Sequence, residues 1–142
     1  MLKALFRSVL RVFVSLYRLT HGRFGGKVQG LPVLLLTTTG RKTGSKRTRP
    51  LGYLEHDGTY VVIASYAGLD THPAWYLNLK SDPRVEIQIQ DKRLMARAEP
   101  AASALREQLW AELVKRAPGY DAYRTRTTRE IPVVLLRPVK AG

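Results

Sequence analysis

Residues 34–49, LLLTTTGRKTGSKRTR, carry an apolar and then β-branched run that empties into a short glycine-containing loop crowded with cations. Three leucines followed by three threonines suit a strand with its face in a core, because such side chains pack well on a pleated surface. Gly40 and Gly44 permit backbone conformations that turn amide N–H groups towards a ligand. Arg41, Lys42, Lys46, Arg47 and Arg49 surround the turn with positive charge. The stretch therefore predicts a buried strand feeding an anion-binding loop.

Downstream, residues 48–56 (TRPLGYLEH) and 59–65 (TYVVIAS) flank Asp57-Gly58, the dipeptide that favours a tight hairpin between antiparallel strands. Pro50 lacks a backbone donor, which places it at a strand start, an edge or a bulge. A helix follows, with Thr71 as its expected N-cap and Pro73 just inside the first turn, running through PAWYLNLKSD until Asp82-Pro83 stops it. Trp75 and Asn78 share one of its faces. Residues 84–90 (RVEIQIQ) alternate cleanly and pair with 92–98 (KRLMARA) across Gln90-Asp91. Residues 100–117 place Leu105, Leu109, Trp110, Leu113 and Val114 at helical spacing, and Pro118-Gly119 ends that helix. Tyr120, Tyr123, Arg124 and Arg126 are expected in a polar loop before a last apolar strand, 131–137 (IPVVLLR).

Upstream, residues 1–19, MLKALFRSVLRVFVSLYRL, put Lys3, Arg7, Arg11 and Arg18 on one side of a basic amphipathic helix. Arginines interrupt every apolar run, so the segment is expected neither to cross a membrane, which takes about 20 apolar residues, nor to direct export. Two readings stand: a helix packed on its own domain with its arginines in water, or one lying on an anionic membrane surface. Gly22, Gly25, Gly26 and Gly30 then make a flexible connector. The division is a helix and glycine-rich connector over 1–30 and a barrel domain over 31–142.

At 142 residues one core is the natural outcome. Twenty-four Lys and Arg against eleven Asp and Glu give a net charge of +13, which implies an anionic partner: nucleic acid, acidic lipid or a polyanionic small molecule. The absence of cysteine excludes disulfides, thiolate metal sites and a cysteine nucleophile, and fits a reducing cytoplasm. His21, His56 and His72 lack the spacing of a helical metal site, so no metal is expected. Ser45 occupies a glycine position that the Walker pattern requires, no G-x-G-x-x-G exists, and no G-x-S-x-G elbow supports hydrolysis. About six mostly antiparallel strands, the N-terminal amphipathic helix and two further helices make an α+β domain whose simplest closure is a small barrel.

The order TTTGRKTGxxRTxPL, then VIAS, then HPAWYLNL before Asp-Pro resembles the deazaflavin-dependent nitroreductase family, over residues 34–139. The resemblance implies a split β-barrel that binds coenzyme F420, an 8-hydroxy-5-deazaflavin, and passes hydride from its reduced form to a quinone, enone or nitroaromatic acceptor. It implies that Arg41, Lys42, Thr43 and Arg47 hold the coenzyme's phosphodiester and glutamate tail. Pro50, Ala64 and Ser65 would line the deazaflavin ring, with Trp75 and Asn78 beside it and Tyr120 and Tyr123 at the acceptor pocket. Tyr120, Tyr123 and Ser65 are thus the candidate catalytic residues. Where the family often has Ser-Lys-Gly-Gly, this chain reads Ser65-Tyr66-Ala67-Gly68, so Tyr66 replaces a lysine next to the coenzyme.

Each residue also has a plainer role: Trp75 in a core, Asn78 bonded to backbone, the tyrosines as packing, the cationic loop in water. The alternatives to an F420-dependent reductase are a small-barrel nucleic-acid-binding module, supported by the charge but not by interleaved strand aromatics, and a split barrel holding FMN. A cytoplasmic enzyme is expected, with the helix placing it on the inner face of the cell membrane in the sharper of its two readings.

Overall fold

The computed structural model describes residues 2–23, 27–28, 30–64, 72–126 and 130–139. Helix α1 (Leu2–Leu19) is followed by β1 (Lys27–Val28), β2 (Leu31–Thr39), β3 (Lys46–His56) and β4 (Thr59–Ile63). Then come α2 (Ala74–Ser81), β5 (Arg84–Ile89), β6 (Lys92–Pro100), α3 (Ser103–Arg116), α4 (Gly119–Arg126) and β7 (Val133–Pro138). The strand order is β1-β2-β3-β4-β7-β6-β5, and a further β2–β5 pairing closes β2 to β7 into a six-strand antiparallel barrel. Closure removes the free edges that an open sheet would expose.

Strand β2 is buried at four successive positions from Val33 to Leu36 because both its faces are covered. Leu34 and Leu36 point into the barrel with Val62, Ile87, Val134 and Leu136, while Val33 and Leu35 pack outward on Phe13, Val14 and Tyr17 of α1. Helix α3 covers the other outer face, setting Leu109, Trp110 and Leu113 on Leu54, Val61, Val133 and Leu135. Trp75, Tyr76 and Leu79 of α2 join the barrel interior. Asp57 and Gly58 both take positive φ, 49° and 77°, in the turn between β3 and β4. β3 pairs with β2 over its first half and β4 over its second. Pro50 pairs with Leu35 of β2, in the half of β3 that β4 does not flank.

Four local expectations are corrected. Residues 119–126 form α4, so three helices follow α1 instead of two. Glu107 holds Arg124 at 2.7 Å, the Arg124 guanidinium lies 5.2 Å from the Trp110 ring centroid, and Tyr120 packs on the α3 core cluster. This packing overrides the weak helix propensity of Gly, Tyr and Thr. Helix α3 starts at Ser103, since Pro100 still belongs to β6, opposite Val134. Helix α2 starts at Ala74 with Pro73 in the N-cap position and no side-chain cap; Thr71 lies outside the described residues. Within the glycine-rich connector, Lys27 and Val28 pair with Pro32 and Leu31.

α1 is laid along β2. The buried Tyr17 hydroxyl donates to the Val33 carbonyl at 2.8 Å and accepts from the Gln90 N–H at 2.9 Å. Arg18 Nε donates to Gln88 Oε1 at 3.3 Å. The helix ends where the Gly22 N–H bonds the Tyr17 carbonyl at 2.8 Å, with His21 and Gly22 both at positive φ. No helix among the described residues is long and apolar enough to cross a membrane.

Candidate functional site

The β2–β3 register pairs Thr39 with Lys46, leaving Gly40 to Ser45 as the connecting loop. The Gly40 N–H bonds the Ser45 carbonyl at 2.7 Å and the Gly44 N–H bonds the Gly40 carbonyl at 2.8 Å. The Ser45 N–H donates to Thr43 Oγ1 at 3.2 Å, and the Arg41 N–H to Asn78 Oδ1 at the same distance. Gly44 sits at φ 75°, a conformation that closes the loop and that side chains disfavour. Most loop amides are therefore used internally, contrary to the expectation of a free-amide cradle. The loop presents cationic side chains instead.

Arg41, Lys42, Thr43 and Arg47 meet Trp75 and Asn78 around one cavity of about 310 Å³. These are six of the residues singled out from the sequence, and they arrive from the loop, β3 and α2. Helix α2 is held to the loop by Asn78, which is buried: its Oδ1 also accepts from Arg41 Nη1 at 3.1 Å, and its Nδ2 donates to the buried Thr38 hydroxyl at 3.2 Å. Two further lining cations, Arg7 and Arg49, were not among the residues the sequence assigned to the coenzyme. Arg49 belonged to the basic run already quoted. Arg7 belonged to the cationic stripe of α1, but nothing local says which neighbour a helix face will meet.

Five cations line the cavity, Arg7, Arg41, Lys42, Arg47 and Arg49, and among the described residues no carboxylate does. Arg41 is engaged with Asn78, and Arg49 Nη1 donates to the Thr48 carbonyl at 3.0 Å. The side chains of Arg7, Lys42 and Arg47 make no hydrogen bond or ion pair with another described residue. Unbalanced like charges around a concavity are relieved by an anion, and guanidinium groups match phosphate and carboxylate oxygens in geometry. The arrangement fits a phosphodiester that continues into an acidic tail.

The remaining described candidates do not line this cavity. Pro50 is on β3, and Ala64 is buried at the end of β4, where its N–H bonds the Pro132 carbonyl at 3.0 Å. Ser65 and Tyr66 lie outside the described residues. Tyr120 and Tyr123 sit on α4 with ring centroids 5.3 Å apart in an edge-on pair, against the α3 core cluster and not on the cationic cavity. Burial, and secondarily the neighbouring Tyr123, raises the Tyr120 phenol above the usual tyrosine value.

Residues 9–138 match the family model described as F420H(2)-dependent quinone reductase. An F420H(2)-dependent quinone reductase of Mycobacterium tuberculosis is 40% identical over 133 residues, which is 91% of this chain and 89% of the relative. The solved structure of an F420-H2 dependent reductase, FDR-A, is 41% identical with a TM-score of 0.69, covering 75% of this chain and 94% of that one. A chain solved as a domain-swapped dimer is 36% identical with a TM-score of 0.71, covering 93% and 98%.

Proposed function

The chain belongs to the F420H(2)-dependent quinone reductase family and is an oxidoreductase, and from that premise we propose how its residues serve hydride transfer from reduced coenzyme F420 to a quinone. The observation that carries the reading is the cavity at the loop between β2 and β3, with five cations and, among the described residues, no carboxylate. It suits a polyanionic tail better than the single phosphate of FMN, the alternative cofactor. When bound, the reduced deazaflavin ring supplies the hydride.

This chain's residues bind and orient. Arg41, Lys42, Thr43 and Arg47 hold the phosphodiester and glutamate tail, and Asn78 sets the loop that carries the first of them. Trp75 and Asn78, with Pro50, Ala64, Ser65 and Tyr66, border the ring. Tyr120 and Tyr123 border the acceptor, where the Tyr120 hydroxyl, protonated at neutral pH, donates to the acceptor oxygen as charge develops on it. Enones and nitroaromatics, which also gather negative charge on oxygen, belong to the same acceptor class. Residues 31–142 form the coenzyme-binding unit, against which α1 is packed. Titration of the purified protein with oxidised F420, followed by coenzyme fluorescence, tests the reading. A saturable change at micromolar concentrations is expected, and none would overturn it.

α1 supports a second reading, contact with an anionic membrane surface. Leu5, Val9, Val12 and Leu19 are exposed at helical spacing, 56–76% accessible, while Arg7, Arg11 and Arg18 lie on another face. An apolar stripe beside cations is what an interfacial helix presents, and it would bring a lipid-soluble quinone near the barrel. Flotation with anionic vesicles should recover the wild type and lose a Val9→Glu/Val12→Glu variant. Equal recovery would exclude the stripe as the contact.

A further inference from the structure

We infer that Arg7, on α1, is a coenzyme-binding residue that reads the anionic charge of the tail, so that the N-terminal helix is part of the site. The inference rests on the F420 reading above and extends it beyond the barrel.

Arg7 lines the same cavity as Gly40, Arg41 and Lys42, although it comes from a different element far upstream. The geometry of α1 explains its arrival. Tyr17 pins the helix beside Val33 near the start of β2. Ten residues of helix back to Arg7 span about 15 Å, while β2 from Val33 to Thr39 advances about 20 Å towards the loop. α1 therefore runs antiparallel to β2, and its N-terminal half ends beside the loop that β2 feeds. Tyr17 to Gln90 and Arg18 to Gln88 anchor its C-terminal end, and Phe13 and Val14, a turn further back, pack in the cluster of Val33 and Leu35.

The charge arrangement gives the residue its role. Two of the five lining cations already have acceptors within the protein, namely Asn78 Oδ1 for Arg41 and the Thr48 carbonyl for Arg49. Three, Arg7, Lys42 and Arg47, have none among the described residues. A phosphodiester carries one negative charge and answers one of them. The ligand that answers all three carries further carboxylates, and Arg7 is the one of the three that the covering helix supplies. Lys42 and Arg47 then set the basal grip, and Arg7 sets the gain from added glutamates. Its guanidinium is exposed, so the effect is modest and falls with salt.

Three probes separate the possibilities: the deazaflavin riboside with no phosphodiester, F420 with one glutamate, and F420 with a long γ-glutamyl chain. Dissociation constants are measured by fluorescence at low and high salt for the wild-type protein, Arg7→Gln and Arg7→Lys. The wild type should prefer the long tail. Arg7→Gln should lose about two- to fivefold on the long tail, lose nothing on the riboside and abolish the preference, whereas Arg7→Lys should keep it. Unchanged melting of both variants is expected because Arg7 has no partner among the described residues to lose. Arg7→Gln retaining the full long-tail preference, or weakening the riboside equally, would overturn the inference and leave the F420 reading standing. Failure of the wild type to bind either tailed probe would overturn both.

Discussion

Asn78 Oδ1 accepts two hydrogen bonds from Arg41, one from its backbone N–H at 3.2 Å and one from Nη1 at 3.1 Å, across 37 residues of sequence. The amide thus fixes both the loop and the direction of its first cation, while its other end is satisfied by Thr38. Asn78→Ala removes the bracket and leaves the buried Thr38 hydroxyl without its donor, for an expected loss of about 1–3 kcal/mol in stability. Asn78→Asp keeps an acceptor for Arg41 but puts a carboxylate in the cavity, so it should fold normally and bind F420 more weakly than the wild type. Thermal melts with coenzyme titrations check both, and wild-type behaviour of Asn78→Ala would remove the bracket from the argument.

Arg47, at the start of β3, lines the cavity with no side-chain partner among the described residues. Arg47→Ala should weaken F420 binding by about 1.5–3 kcal/mol, with a shallower salt dependence. Arg93 is an exposed cation outside the cavity, paired with Glu86 at 3.8 Å, and its alanine variant should bind as the wild type does. Equal losses in the two variants would trace binding to net charge and not to the site.

Tyr120 is raised above the ordinary tyrosine value of 10.0, first by burial and then by Tyr123. A raised folded value means that its stabilising contribution is complete below the unfolded tyrosine value and is lost as pH rises through the higher folded one. The phenol therefore remains a proton donor throughout the neutral range. With reduced F420 and a quinone, kcat should show no limb from this group between pH 6 and about 10. Tyr120→Phe should lower kcat by about a hundredfold, at the low end for a general acid. An unchanged kcat in Tyr120→Phe would assign the proton to solvent.

Gly22 closes the C-terminal end of α1 at φ 83°, and a Cβ there would lie 2.9 Å from the Gln90 Cα. Backbone cannot yield as a flexible side chain would, and the conformation itself disfavours any side chain. Gly22→Ala should cost about 1–3 kcal/mol and speed amide exchange at Gln90, whose N–H is held by the Tyr17 hydroxyl. Melting equal to the wild type would show that α1 docks without this close approach.

What the sequence by itself determined is local. Asp57-Gly58 marked its turn because few residues accept two consecutive positive φ values. Residues 84–90 and 92–98 announced a hairpin by period-two alternation, and the basic loop, with Trp75 and Asn78 at one helical step, was visible as chemistry before it was visible as a place. Tertiary structure decided the rest, because those outcomes depend on partners distant in sequence. Closure rests on Leu35, Leu36 and Thr37 of β2 meeting Gln88, Ile87 and Glu86 of β5, a pairing that no local period encodes. Residues 119–126 became a helix once α3 offered Trp110 and Glu107 to Arg124, against their own weak propensity. Most of all, α1 shows cations on one face and apolar side chains on two others, and the tertiary contacts of Tyr17 with Val33 and Gln90, of Arg18 with Gln88 and of Phe13 and Val14 with the Val33–Leu35 cluster settle which face is buried. That single docking leaves Leu5, Val9 and Val12 outside and turns Arg7 towards the loop at residues 40–45.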